Sequence, residues 1–269
     1  MNETTITDWD DAYANAAHIP GAEAYPPKWA ADAGKFRSSW ADKDIDVSYG
    51  NSPRQCFDLF FPKHSSRGLV VFVHGGYWLR FDKSYWSHFA QGALERDWTV
   101  CLPSYDLSPD VEIAQITRQI GSAIQFAAKE VEGPIRLSGH SAGGHLVTRM
   151  VCQNAPVATS VLDRVEAVLS ISGLHDLRPL RNTSMNASFK MSEDQAIAES
   201  AALTQPAIEC AVTAWVGAQE RPEFVRQSEL LSNAWPNAKF HAAPGKHHFD
   251  VIDDLLDADS ELTDVLLSR

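Results

Sequence analysis

A serine flanked by small residues is the first place where chemistry is legible. Gly139-His140-Ser141-Ala142-Gly143 fits the pattern G-x-S-x-G, with an apolar run, Ile135 to Leu137, before it and an amphipathic stretch after it. In a strand, turn and helix of this kind the turn is so tight that the serine's neighbours must be small, as Gly139, Ala142, Gly143 and Gly144 are. Such a turn exposes Ser141 Oγ as a nucleophile for a carbonyl carbon. The first N–H groups of the following helix favour the negative charge that develops on a tetrahedral intermediate. Taken alone, the pentapeptide equally describes a Gly-rich turn carrying an ordinary serine, so its companions decide.

His74-Gly75-Gly76-Tyr77-Trp78 follows directly on the apolar run Val70 to Val73. A loop that offers bare backbone N–H groups to an oxyanion cannot carry bulky side chains at the point of contact, which is what paired glycines provide. Gly76 and Tyr77, with Ala142, are the expected donors, and Gly75 stays a candidate beside them. His74 is expected to prop the loop. Trp78, Tyr85 and His140 are expected as walls of the substrate pocket, since they stand next to these two loops.

A serine nucleophile needs a base, and in strand-turn-helix sites of this type the chain order is nucleophile, acid, histidine. Lys246-His247-His248-Phe249-Asp250 follows the last strand-like run, and His248, at the end of its loop, is chosen over its neighbour His247. The acid should follow the preceding run, where Gly217 to Glu223 holds two carboxylates. Glu223 comes after Pro222, a residue favoured at the first helical position, so it belongs to a first helical turn and complements the helix dipole. Glu220 is left on the loop, able to accept from the imidazole N–H and hold the reactive tautomer. Asp250 and Asp253 are the fallback acids.

These loops require strands and helices to hold them. Strand-like runs lie at Ile45 to Tyr49, Cys56 to Phe61, Gly68 to Val73, Thr99 to Pro103, Ile135 to Gly139, Val165 to Ser172, Ala211 to Val216 and Lys239 to Ala242. Between them, Val111 to Glu130, Gly143 to Asn154, Pro222 to Ala234 and Val251 to Leu267 repeat apolar residues at helical spacing. Such alternation predicts an α/β fold, a mostly parallel eight-stranded sheet with helices on both faces. The first pair of strands reads as an antiparallel hairpin around Gly50 to Pro53. Residues 1–269 are read as a single domain. In it, 1–43 pack on the body or the pocket rim through Tyr25, Trp29, Phe36 and Trp40, and about 178–205, polar and irregular, form a small cap or lid.

Of 269 residues, 44% are hydrophobic and 22% charged, enough apolar surface for a sizeable core. A formal net charge of -12 disfavours both nucleic acid and anionic membranes as partners, because each is bound through clustered Lys and Arg. The N-terminus is acidic and carries no apolar run of signal-peptide type, so a cytoplasmic location is expected. Four separated cysteines suggest neither a zinc site nor a disulfide framework. No metal or cofactor is expected, the partner being a small-molecule ester or amide, with a homodimer as one possible assembly.

HGGYW at 74–78, GHSAGGHL at 139–146, SGLHDLRPL at 172–180, WVGAQERPEFVRQS at 215–228 and HHFDVI at 247–252 together resemble the kynurenine formamidase (arylformamidase)-like and related carboxylesterase branch of the α/β-hydrolase superfamily. The resemblance runs from about Asp58 to Asp253, with Glu220 standing where the family has an aspartate. It implies the α/β-hydrolase fold and acyl transfer to water without metal or organic cofactor. It also implies Ser141, Glu220 and His248 as the catalytic residues. Ester or N-formyl aryl amide is the implied bond, with arylformamidase action on N-formylkynurenine as the narrower alternative. A non-catalytic small-molecule receptor on the same scaffold is the alternative of another class.

Overall fold

The computed structural model describes residues 6–268. Eight strands form one sheet: β1 (Lys43–Ser48), β2 (Cys56–Phe60), β3 (Leu69–Val73), β4 (Thr99–Pro103), β5 (Ile135–His140), β6 (Val165–Ile171), β7 (Ala211–Gly217) and β8 (Ala238–Ala243). Their order across the sheet is β1-β2-β4-β3-β5-β6-β7-β8. β2 pairs antiparallel with both β1 and β4, and from β4 onward every pairing is parallel. Parallel neighbours need long crossovers, and helices supply them.

β3 shows why the sheet is covered on both sides. Leu69, Val71 and Val73 point into one core, Val70 and Phe72 into the other, and all five are buried. The helix Ile113–Glu130 closes the first face with Ile113, Ile116, Ile120 and Ile124, spaced to share one stripe. On the second face lie the N-terminal helix Tyr25–Ser39, through Trp29 and Phe36, and the C-terminal helix Glu261–Leu267, through Leu262 and Leu266.

The expected C-terminal helix from Val251 to Leu267 is broken. A single 3-10 turn, Asp253–Leu256, is followed by a turn in which Asp257 Oδ1 accepts from the Asp259 N–H (2.9 Å), and Ser260 caps a fresh helix by accepting from Thr263 (3.1 Å). Short polar side chains that bond the nearby backbone compete with a continuous helix. Ser and Asp at these positions therefore outweigh the apolar spacing. The helix after Ser141 also ends early, at Arg149, and Cys152 pairs with Pro206 instead.

The segment 178–205 folds into short turns and helices, among them Asn186–Phe189 and Glu193–Ala198. It packs on the body away from the site described below. Phe189 meets the edge of Trp78 (5.8 Å between ring centres), and Glu199 pairs with Arg149 (3.3 Å) and accepts from Thr117 Oγ1 (2.6 Å). Among the described residues no helix is long and apolar enough to cross a membrane.

Candidate active site

Register brings the two Gly-containing loops together. Val73 at the end of β3 lies opposite Gly139 on β5, so the segment beginning at His74 and the turn at Ser141 leave the sheet side by side at its carboxyl edge. Ser141 has φ 56 and ψ −118, a conformation that costs energy for a side-chain-bearing residue and is held by its surroundings. Its N–H donates to Ile171 O (2.8 Å), and its carbonyl accepts the first bond of the helix Ala142–Arg149, from His145 (3.2 Å). The tightness is steric: a Cβ on Gly143 would lie 1.9 Å from Val73 O.

The facing loop is bent as sharply, with φ 108 at Gly76, 54 at Tyr77 and 55 at Trp78. His74 supports it from below, stacked on Tyr105 (4.3 Å between ring centres) with its Nδ1 2.8 Å from Gly75 O, while the Tyr105 hydroxyl donates to His74 O (2.9 Å). Gly75 lies directly against the serine turn, where a Cβ would come within 3.0 Å of Ser141 Cβ. Gly76 and Tyr77 line the cavity with Ser141, and Ala142 is buried at the start of the helix behind it. The N–H groups of Gly76, Tyr77 and Ala142 donate to no backbone acceptor among the described residues.

Glu220 and His248 meet across the ends of β7 and β8. His248 Nδ1 lies 2.6 Å from Glu220 Oε2, and both side chains are buried. A carboxylate only accepts, so Nδ1 carries the proton and Nε2 is left as the basic nitrogen. The other carboxylate oxygen of Glu220 accepts from Ser172 Oγ (2.5 Å) and from the Gly217 N–H (2.8 Å). Three donors thus offset the cost of burying this charge. Ser172 opens the SGLHDLRPL stretch, but its role escapes a reading of the sequence because it acts through Glu220, 48 positions away.

Other candidates are engaged elsewhere. Glu223 opens the helix Pro222–Ala234 and is held by Tyr13, Arg226 and Gln227. Asp250 accepts from the His247 N–H (2.7 Å), and Asp253 is half-enclosed, its carboxyl pushed up to about 6 by burial. His247 Nδ1 accepts from the N–H of Phe249 (3.1 Å) and of Asp250 (3.3 Å), so its Nε2–H donates to the Tyr25 hydroxyl (3.2 Å).

Ser141 and His248 open onto a cavity of about 500 Å³, the size of a site for a small organic molecule. Its aromatic walls are Tyr13, Tyr77, Trp29, Phe81, Trp86 and Phe249, and His140 also faces it. Half of the lining comes from the N-terminal segment between Tyr13 and Trp29, and none of it, among the described residues, from 178–205. The roof is therefore N-terminal, and the expected lid lies elsewhere.

Trp78 and Tyr85, expected as pocket walls, are not among the lining residues. The left-handed backbone at Trp78 turns its indole into the core, edge-on to His145 (5.1 Å between ring centres), and Tyr85 rests on the outer side of Phe81 (5.1 Å). Phe81 and Trp86 take the positions in their place.

This strand order, with a strained serine at the end of β5 and a Gly-containing loop facing it from β3, defines an α/β hydrolase. Residues 57–230 match the BD-FAE family model. The chain belongs to that family, in the esterase and kynurenine formamidase-like branch of the α/β hydrolases. A kynurenine formamidase of Salmo salar is 30% identical over 239 residues, covering 83% of this chain and 80% of the relative. A protein of Silicibacter sp. TM1040, solved as a candidate thioesterase, is 52% identical and superposes with a TM-score of 0.94 over 96% of this chain and 98% of its own. Esterase B of Lactobacillus rhamnosis, 15% identical, shares the fold with a TM-score of 0.65 over 94% of this chain and 91% of its own.

Proposed function

We propose that this chain is a serine hydrolase that cleaves a carboxylic ester or an N-formyl aryl amide of a small molecule through an acyl-enzyme. The observation that carries the reading is the 2.6 Å contact between Glu220 and His248, which leaves a basic Nε2 in the cavity that holds Ser141. His248 Nε2 takes the Ser141 hydroxyl proton as Oγ bonds to the substrate carbonyl carbon. The carbonyl oxygen becomes an oxyanion among the N–H groups of Gly76, Tyr77 and Ala142. Collapse breaks the bond to the leaving oxygen or nitrogen, which receives the proton from His248. Water then bonds to the acyl carbon as His248 Nε2 takes its proton, and collapse breaks the bond to Ser141 Oγ, which recovers that proton from Nε2 as the acid leaves.

Arylformamidase action on N-formylkynurenine is the narrower reading, supported by the aromatic walls around Trp29, Phe81 and Phe249 and by the name of the Salmo salar relative. The test is a panel of p-nitrophenyl short-chain esters, a thioester and N-formylkynurenine, assayed on the wild type and on Ser141→Ala. Hydrolysis that depends on Ser141, with labelling of Ser141 by a fluorophosphonate, is the expected result. Full activity in Ser141→Ala, or binding without labelling or turnover, would overturn the reading and favour a receptor.

A further inference from the structure

His140, the residue just before the nucleophile, is buried, and the mechanism above gives it no work. Its Nε2 lies 2.8 Å from the backbone carbonyl of His248. A carbonyl can only accept, so Nε2 carries the proton. Nδ1 is then the bare nitrogen, and it is enclosed without a hydrogen-bond partner among the described residues. Burial first, and the nearby His248 second, hold this imidazole neutral by pushing its pKa well below the ordinary value. Its single donor is therefore committed, permanently, to the main chain of the base.

We infer that His140 is a positioning residue: its Nε2–H ties the backbone of His248 to the nucleophile turn and so sets the reach from the basic nitrogen to Ser141 Oγ. The inference rests on the roles proposed above for Ser141 and His248. Two ties then hold the base. Glu220 fixes the ring's tautomer through Nδ1, and His140 fixes the point from which the ring hangs. The tie joins the ends of β5 and β8, which three other strand pairings separate in the sheet. The two rings are 4.7 Å apart at 41°, so a second positive charge on His140 would oppose the imidazolium formed at His248 during attack. A neutral donor avoids that.

Gln, Asn and Leu at position 140 separate the tie from mere packing. Gln can place an amide N–H near the position of Nε2, Asn places it nearer that of Nδ1, and Leu has no donor. His140→Asn and His140→Leu should lower kcat about ten- to a hundredfold with KM little changed, the scale on which small misplacements of reacting groups act. His140→Gln should recover most of the loss. Rates are normalised to the folded fraction, and histidine 15N spectra of the wild type at pH 7 read the tautomer without any substitution. Wild-type kcat in His140→Asn, or no recovery in His140→Gln at equal folded fraction, would overturn the inference. So would an Nδ1–H tautomer at His140, even where the variants do not fold. Ser141→Ala is the accompanying control. If it stays active the proposed function fails and this inference with it, whereas a dead Ser141→Ala beside a fully active His140→Asn removes this inference alone.

Discussion

The phenol of Tyr13 donates to Glu223 Oε1 at 2.8 Å, joining residues 210 positions apart and fastening the roof of the cavity to the helix that follows the acid loop. Arg221 reaches the same segment through Asp11, and Tyr25 meets His247 on the base loop. The roof of the site is thus tied by polar contacts to the acid loop and the base loop.

Tyr13→Phe removes one of these fasteners and leaves Glu223 with Arg226 and Gln227. It should cost about 1.5 kcal/mol, read as a lower urea midpoint at unchanged slope. An unchanged midpoint would show that the contact adds nothing.

Trp29→Ala opens the roof from the inside. Removing a buried indole should cost about 3–5 kcal/mol. In the folded fraction, the ratio of kcat/KM for a bulky acyl ester to that for an acetyl ester should rise. A constant ratio would mean that Trp29 does not bound the substrate.

Glu220→Gln keeps the shape but loses the charge that favours the imidazolium, and kcat should fall by roughly 10³–10⁴. Ser172→Ala removes one of the three donors to that carboxylate and should reduce kcat far less. Equal losses in the two variants would contradict the division of labour, and kcat measured on one activated ester decides.

How far the site could be read without coordinates follows from how local each signal is. β3 declared itself as a short apolar run, LVVFV, ending in a Gly-containing turn, β7 as a mainly apolar run ending at Gly217, and the serine turn by the small residues clustered around Ser141. The acid loop was legible through Pro222, which marks a helix start and so separates Glu220 from Glu223. Trp78 was misjudged because spacing does not reveal a left-handed φ, and that angle sends its indole inward. The N-terminal segment was expected on the body or the pocket rim, and Trp29 does line the cavity, but its fastening by Tyr13 was not legible, since Tyr13 and Glu223 share no local pattern. The lid expected at 178–205 rested on polarity alone, which does not say which surface a segment covers.

Gly143→Ala tests the steric argument at the serine turn. The added Cβ would start 1.9 Å from Val73 O, a clash between backbones that no side-chain rotation relieves. Loss of several kcal/mol, or no folded protein at all, is expected from overpacking at this point. A melting temperature within a degree of the wild type would refute it.

Acid should destabilise the protein before it damages any single contact. Burial holds His74 down to about 4, His88 to about 4, His145 to about 3 and His175 to about 3, and lowers His140 too. In the unfolded chain each titrates near about 6.5, so below that pH the unfolded state binds more protons and stability falls. The loss is about 1.4 kcal/mol per pH unit for each such imidazole until its folded value is reached. Asp253, raised to about 6 by burial, acts in the opposite sense between its unfolded and folded values, one group against five. Urea midpoints should be highest above pH 6.5 and drop clearly by pH 5.5. Equal midpoints at pH 7.5 and 5.5 would contradict this.

The N-terminal roof has a consequence for biosynthesis. Tyr13 leaves the ribosome 210 residues before Glu223, to which it attaches, and Tyr25 leaves it 222 residues before His247. These ties of the segment must wait until Glu223 and His247 have been made, and contacts of such long sequence separation are slow to form. A nascent chain halted before residue 220 would carry Ser141 without its base, its acid or the polar ties of Tyr13 and Tyr25 to the loops that hold them, so reactivity arrives only once His248 has been added.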